Sequence, residues 1–260
     1  MTLLEKIYEL TPEQSQVLHS ELVDSQLLEI REFESYRWLQ IGGSSIQALM
    51  DVNSPNQILL PNIRALMATL LICPQASRLL NLGFGCGSIE RFLIEKLTGL
   101  EITSLESNEK VIHLAKEFFF ISDESYIVND SAENFLSRHN DVYDIILCDI
   151  FFDEKHPACL YKEEFYADVF NCLDKAGVLA INLLPESEED VVEILLPMKK
   201  CFGHISLLEV SNHTNVIIFA SNRKLPGTVE LKVAANELFE KTDLDLRDIP
   251  ERLNRLLETM

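Results

Sequence analysis

The stretch Leu79-Leu80-Asn81-Leu82-Gly83-Phe84-Gly85-Cys86-Gly87-Ser88-Ile89-Glu90 decides the fold. An apolar run of strand length enters a turn with three glycines and leaves as the start of a helix. Glycine lets the main chain bend sharply and approach a ligand closely, because no Cβ intervenes. Gly83, Gly85 and Gly87 are therefore candidate ligand-binding positions. A second β-prone run, Ile102-Thr103-Ser104-Leu105, ends in Glu106, 19 residues after Gly87. An acid at that place accepts hydrogen bonds from ribose hydroxyls. Asp130 follows Tyr126-Ile127-Val128-Asn129, and Asp149 follows Ile145-Ile146-Leu147-Cys148. Ligands of open α/β sheets bind at the carboxyl ends of the strands, so these four features point to one crevice. Asp130 competes for a second role as N-cap of the helical pattern that begins at Ala132. Asp144, at the opposite end of its strand, reads as structural.

Outward from this core the rhythm is strand, turn, helix. Strands are predicted at 79–82, 101–105, 125–128, 145–148, 177–181, 204–209 and 216–220, with helical patterns between most of them. This predicts a Rossmann-like, seven-stranded, mainly parallel sheet with helices on both faces. The gap Val210–Asn215 is too short for a crossover helix, so the last two strands form an antiparallel hairpin. Residues 3–22 read as a short polar helix, and 26–52 as a small antiparallel β unit. A helix over 59–72 and two C-terminal helices split near Asp243 complete the pattern. The expected division is 1–57, carrying the β hairpins, and 58–260, the nucleoside-binding α/β domain.

The chain has 260 residues, 22 Lys plus Arg against 42 Asp plus Glu, and a net charge of −20. It repels phosphate backbones, and no basic run exceeds Lys199-Lys200, which argues against a nucleic-acid partner. The same charge attracts cations such as polyamines. No stretch approaches the roughly 20 apolar residues of a membrane span, and the N-terminus lacks the pattern of a signal peptide. The six cysteines form no CxxC pair, so a zinc site and a disulfide framework are both unexpected, and a reducing cytoplasm is the expected location. His113, His139, His156, His204 and His213 show no ligand spacing; His156 stands out because it lies near Asp149. Trp38 and the run Phe118-Phe119-Phe120 are expected in the core.

The set of motifs resembles the class I methyltransferase-like fold, and within it the spermidine synthase (polyamine aminopropyltransferase) family, over roughly residues 26–225. The resemblance rests on Ile46-Gln47, the glycine turn, Glu106 and Ala115-Lys116-Glu117-Phe118-Phe119. It extends through Asp130, Tyr143–Asp149, Pro157-Ala158, Leu160-Tyr161, Phe165-Tyr166 and Gly177–Asn182. It implies transfer of a 3-aminopropyl group from decarboxylated S-adenosylmethionine to an amine such as putrescine, without a metal. Glu106 would hold the ribose, Asp130 with its neighbour Ser131 the adenine, and Gln47 would close over the nucleoside. Asp149 would bind and deprotonate the attacking amine, with Asp153 and Tyr166 as further substrate contacts. A homodimer is the assembly the family implies.

An acid suits that task. An alkylamine with a pKa near ~10.4 arrives protonated, and a carboxylate can orient it and accept its proton. Departures from the family fall on the amine side. Cys86 stands where an acid would meet the donor's amine, Phe151 and Phe152 replace serines after Asp149, and Arg64 stands where another acid would meet the polyamine. An arginine there suits a substrate bearing a carboxylate. Two alternatives therefore stand beside aminopropyl transfer: an S-adenosylmethionine-dependent methyltransferase acting on a small acceptor, and a non-catalytic nucleoside-binding homologue.

Overall fold

The computed structural model describes residues 2–23, 26–42, 45–123, 125–151 and 155–256. Short polar segments and alternating apolar positions build the N-terminal part. Helix α1 (Leu3–Tyr8) is capped by Thr2, whose side chain accepts from the Glu5 N–H while the Glu5 carboxylate accepts from the Thr2 N–H. The helix predicted over 3–22 stops there. Residues Gln16–Val23 instead form strand β1, which pairs antiparallel with β2 (Gln26–Phe33). Val17, Leu18, Leu22 and Val23 are β-favouring, and pairing with the neighbouring strand satisfies a backbone that an isolated polar helix would have left to water. β3 (Tyr36–Ile41) and β4 (Ile46–Asp51) complete a four-stranded sheet in chain order, one strand more than the sequence predicts.

One face of this sheet is apolar. Leu28, Ile30, Leu39, Ala48 and Met50 pack with Phe84 and Cys86 of the glycine turn and with Val111, Leu114, Ala115 and Phe119. The small β unit is thus seated on the turn that the sequence marks for ligand binding. Arg91 ties the junction together. Its buried guanidinium donates to the carbonyls of Pro55 (2.7 Å) and Phe119 (2.9 Å) and to that of Cys86. A buried carbonyl left without its donor costs about 1–3 kcal/mol, so one side chain holds the linker, the turn and the end of a helix in register.

The second sheet is built from β5 (Arg78–Leu82), β6 (Glu101–Glu106), β7 (Ile127–Asn129), β8 (Tyr143–Cys148), β9 (Leu173–Leu183), β10 (His204–Glu209), β11 (Val216–Ser221) and β12 (Asn254–Arg255). Its order is β12-β10-β11-β9-β8-β5-β6-β7. β7, β6, β5, β8 and β9 run parallel, and β11, β10 and β12 pair antiparallel. The predicted seven strands therefore become eight among the described residues. The extra one is the two-residue β12, too short to leave a sequence signal. The β10–β11 hairpin lies where the short Val210–Asn215 gap puts it.

Alternate residues of the central strands face opposite sides. Leu79, Ile145, Leu147, Val178 and Ala180 join one core with α2 (Pro61–Leu66), α3 (Thr69–Ile72), α4 (Ser88–Lys96), α9 (Thr228–Thr242) and α10 (Ile249–Arg252). Leu80, Leu82, Ile146, Leu179 and Ile181 join the other with α6 (Ala132–Arg138), α7 (Glu163–Cys172) and α8 (Glu188–Cys201). The single helix expected over 59–72 is broken in two between Leu66 and Thr69. The split near Asp243 is present: this residue ends α9 in the left-handed conformation, φ 63°. Asp144 accepts from the Ser77 N–H (2.7 Å), the Ser77 hydroxyl (3.0 Å) and the Arg78 N–H (3.0 Å), which pins the entry to β5. Of the aromatic run, Phe119 is buried, but Phe120 is exposed, at φ 57°, with the Arg37 guanidinium over its ring.

Candidate active site

Parallel strands β7, β6, β5 and β8 are neighbours, so their carboxyl ends present Asp130, Glu106, the glycine turn and Asp149 side by side. The turn is fixed by backbone bonds: the N–H groups of Gly83 and Phe84 both donate to the Leu105 carbonyl, at 3.1 and 2.7 Å. Glu106 then bridges the turn and helix α5 (Glu109–Phe118). Its Oε2 accepts from the Gly85 N–H (3.0 Å) and its Oε1 from the Asn108 N–H (3.0 Å). Burial pushes its pKa up, while those backbone donors pull the other way. The Ser107 N–H bears on it as well, and the acceptor capacity left beyond these three backbone donors is what the carboxylate can offer to a ligand hydroxyl. An added Cβ at Gly85, φ 55°, would meet nothing within 4 Å, so open space lies over the turn.

Asp149 begins the segment that leaves β8, and its N–H donates to the Leu82 carbonyl (2.9 Å). An added Cβ at Gly83 would fall 2.2 Å from the Asp149 carbonyl oxygen, so only a bare main chain fits there. Asp149 Oδ1 accepts from Asn182 Nδ2 (2.7 Å), and Asn182 Oδ1 accepts in turn from Asn215 Nδ2 (3.0 Å). Burial raises the Asp149 carboxyl to about 6, against which the Asn182 amide lowers it. Asn182 and Asn215 were missed by sequence reasoning. The available signal was a polar residue, Asn182, closing the apolar run Val178–Ile181.

The remaining candidates divide. Asp130 sits at the crevice, but its Oδ2 pairs with Arg138 Nη2 (2.6 Å) and its Oδ1 accepts from the Ser131 N–H (2.9 Å). The helix cap is Ser131 rather than Asp130: its hydroxyl accepts from the Asn134 N–H (3.2 Å). Gln47 is exposed on β4, one residue from the buried Ala48 that packs towards the glycine turn. Tyr166 is wholly buried and donates its hydroxyl to the Leu160 carbonyl (2.7 Å). That bond withdraws it from a substrate-contacting role, because the apolar pattern of α7 turns it into the core. Asp153 and Phe152 lie outside the described residues.

Arg64 also departs from expectation. It pairs with Asp248 and the Asp245 carbonyl of the C-terminal tail, so its charge is met within the chain rather than offered to a substrate carboxylate. Cys86 is buried beneath the β1–β4 sheet, and burial pushes its thiol far above its ordinary pKa, so it is a neutral turn filler. The side chain of His156 is buried and ties its segment to the chain after β9 and to α8. Its Nε2 accepts from the Leu184 N–H (2.9 Å), and its Nδ1 faces Asp190 Oδ2 (3.3 Å). Burial keeps its pKa low, which suits a neutral ring whose Nδ1–H points at Asp190. Among the described residues, no group of three His, Cys, Asp or Glu could hold a metal ion, and no helix is long and apolar enough to cross a membrane.

No protein-family model matches the chain. A polyamine aminopropyltransferase of Chromobacterium violaceum is 28% identical over 236 residues, which are 88% of this chain and 89% of the relative. A structure described as a probable spermidine synthase from Corynebacterium glutamicum superposes with a TM-score of 0.75 at 16% identity, covering 94% of this chain and 91% of the other. Human methyltransferase-like protein 13, solved with SAH, reaches a TM-score of 0.61 at 20% identity over 70% of this chain and 89% of its own. The structural likenesses carry the fold; the curated relative carries the family resemblance along nearly the whole length.

Proposed function

As a homologue of the polyamine aminopropyltransferases, this chain, we propose, transfers a 3-aminopropyl group from decarboxylated S-adenosylmethionine to a small amine of the putrescine type. The observation that carries this reading is Asp149, a carboxylate raised to about 6 and held by Asn182 beside the bare main chain of Gly83. Above that value it is ionised, and it can pair with an ammonium and take its proton. The freed amine nitrogen forms a bond to the donor carbon attached to the sulfonium. The C–S bond breaks with its electron pair going to sulfur, which leaves as the neutral thioether of methylthioadenosine. Positioning supplies much of the acceleration, because a sulfonium is already a good leaving group.

On this reading Glu106 binds the ribose, the glycine turn lies under the nucleoside, and Asp130 and Gln47 flank it, with Ser131 acting as the cap behind Asp130. A homodimer is the assembly carried over with the family, and a reducing cytoplasm is the setting inferred from the six cysteines. Glu106→Gln keeps one oxygen acceptor for the turn but loses the charge that favours a hydroxyl donor. It is expected to weaken methylthioadenosine binding about 10–100-fold, read by calorimetry.

The decisive assay supplies decarboxylated S-adenosylmethionine and a panel of diamines and measures methylthioadenosine release. No product across the panel would reject aminopropyl transfer. The neutral Cys86 thiol, where a donor-amine acid would sit, favours methyl transfer as the second reading. Tighter binding of intact than of decarboxylated S-adenosylmethionine would select it.

A further inference from the structure

We propose that Asn182 is a positioning residue for Asp149, and that Asn215 locks its amide in the one orientation that presents a donor to the carboxylate. This rests on the reading of Asp149 as the proton acceptor. Asn182 is buried near the end of β9, and both ends of its amide are spoken for. Nδ2 donates to Asp149 Oδ1 at 2.7 Å, and Oδ1 accepts from Asn215 Nδ2 at 3.0 Å.

The chain of bonds has a direction. A carboxylate only accepts, so the group facing it must donate. Turning the Asn182 amide over would aim an oxygen at Asp149 and a nitrogen at the Asn215 donor, breaking both contacts. Asn215 lies just before β11 and Asn182 within β9, and these strands are paired antiparallel with Ile217 opposite Asn182. The β10–β11 hairpin is therefore what delivers the locking donor. The arrangement fixes which carboxylate oxygen is occupied. Among the described residues, Oδ2 of Asp149 accepts no bond and remains for the incoming ammonium. Among the described residues, burial and the Asn182 amide are what act on the Asp149 carboxyl, and the adjacent Cys148 thiol is itself kept neutral by burial.

A substitution that removes the donor disfavours the ionised acid. Asn182→Leu fills a similar volume without a donor and is expected to move the Asp149 titration upward by about one pH unit, the loss of one hydrogen bond to a charged acceptor. Asn215→Ala is expected to shift it in the same direction by less, because the amide of Asn182 becomes free to rotate. Asn215 is only partly buried and lines an open surface depression of about 530 Å³, so this second variant is expected to fold.

The titration is followed by carbon NMR of aspartate-labelled full-length chain, with Asp149→Asn used to assign the resonance, and in parallel by the acid limb of the kcat/KM profile. An upward shift in both variants supports the proposal. An unchanged midpoint in either variant overturns it. Because the NMR readout needs no substrate, a chain inactive towards every diamine would sink the proposed function while leaving this inference to be judged on its own titration.

Discussion

Asp149→Asn is expected to cut turnover steeply and, at the same time, to make the folded chain more stable. An amide cannot take a proton from an ammonium, so the loss in kcat/KM is roughly 10²–10⁴-fold, the usual contribution of a positioned general base. The gain in stability comes from the same burial that tunes the acid. Asp149 is held at about 6 against an ordinary value of 3.8. A carboxyl raised on folding binds its proton more tightly in the native than in the unfolded chain. Its favourable contribution is therefore complete below the unfolded value of 3.8 and is lost as pH rises through about 6. At pH 7.5 the native chain bears the cost of a desolvated charge, which asparagine removes while still accepting from the Asn182 amide. We expect the variant to be about 1–3 kcal/mol more stable at pH 7.5, with the advantage fading below about pH 4, as read from urea melts at both values. Full activity in the variant would take the proton-accepting role away from Asp149. Equal stability at pH 7.5 would show that its carboxylate is well solvated in the folded chain.

The sequence made the crevice legible where it used residues with few other meanings. Three glycines between an apolar strand and a helix, and acids ending successive strands, are patterns that packing alone does not demand. The partners of those acids are hidden because only the folded chain brings them together. Asn182 reaches Asp149 only once β8 and β9 pair, Asn215 reaches Asn182 only once β9 and β11 pair, and Arg138 reaches Asp130 only once α6 forms. Tyr166 and Arg64 are hard to place from sequence for the converse reason. Both are polar residues whose hydrogen-bonding groups are met inside the chain, by the Leu160 carbonyl and by Asp248. Strand β1 is hard to see in the sequence because nothing but Pro12 divides residues 3–22. The break lies at Thr11-Pro12, after which alternation replaces the helical period.

Gly83→Ala is expected to be the most damaging single-methyl change in the crevice, and Gly85→Ala, two positions on, is its control. Both glycines have positive φ, 107° and 55°, so each alanine bears backbone strain. The difference lies in what the methyl meets. At Gly85 it meets nothing within 4 Å, and the cost is the conformational penalty of about 1–2 kcal/mol. At Gly83 it lands 2.2 Å from the carbonyl oxygen of Asp149 and 2.8 Å from its carbonyl carbon. No side-chain rotation relieves a clash of backbone against backbone. The two segments cannot simply part either, because the Gly83 N–H is bonded to the Leu105 carbonyl and the Asp149 N–H to that of Leu82. Relief requires opening the β5–β8 edge or displacing Asp149, so overpacking adds to the strain for a total of about 2–5 kcal/mol. For a chain of this size that corresponds to a fall in Tm of roughly 5–15 °C. Catalysis should suffer beyond the stability loss. At a temperature where Gly83→Ala is still folded by circular dichroism, its kcat should drop, since the displaced group is the acid itself. Gly85→Ala should raise KM for the nucleoside donor and leave kcat near the parent value. Equal behaviour of the two variants would mean that the main chain at Gly83 does not set the position of Asp149, and the close approach would then have no part in the reaction.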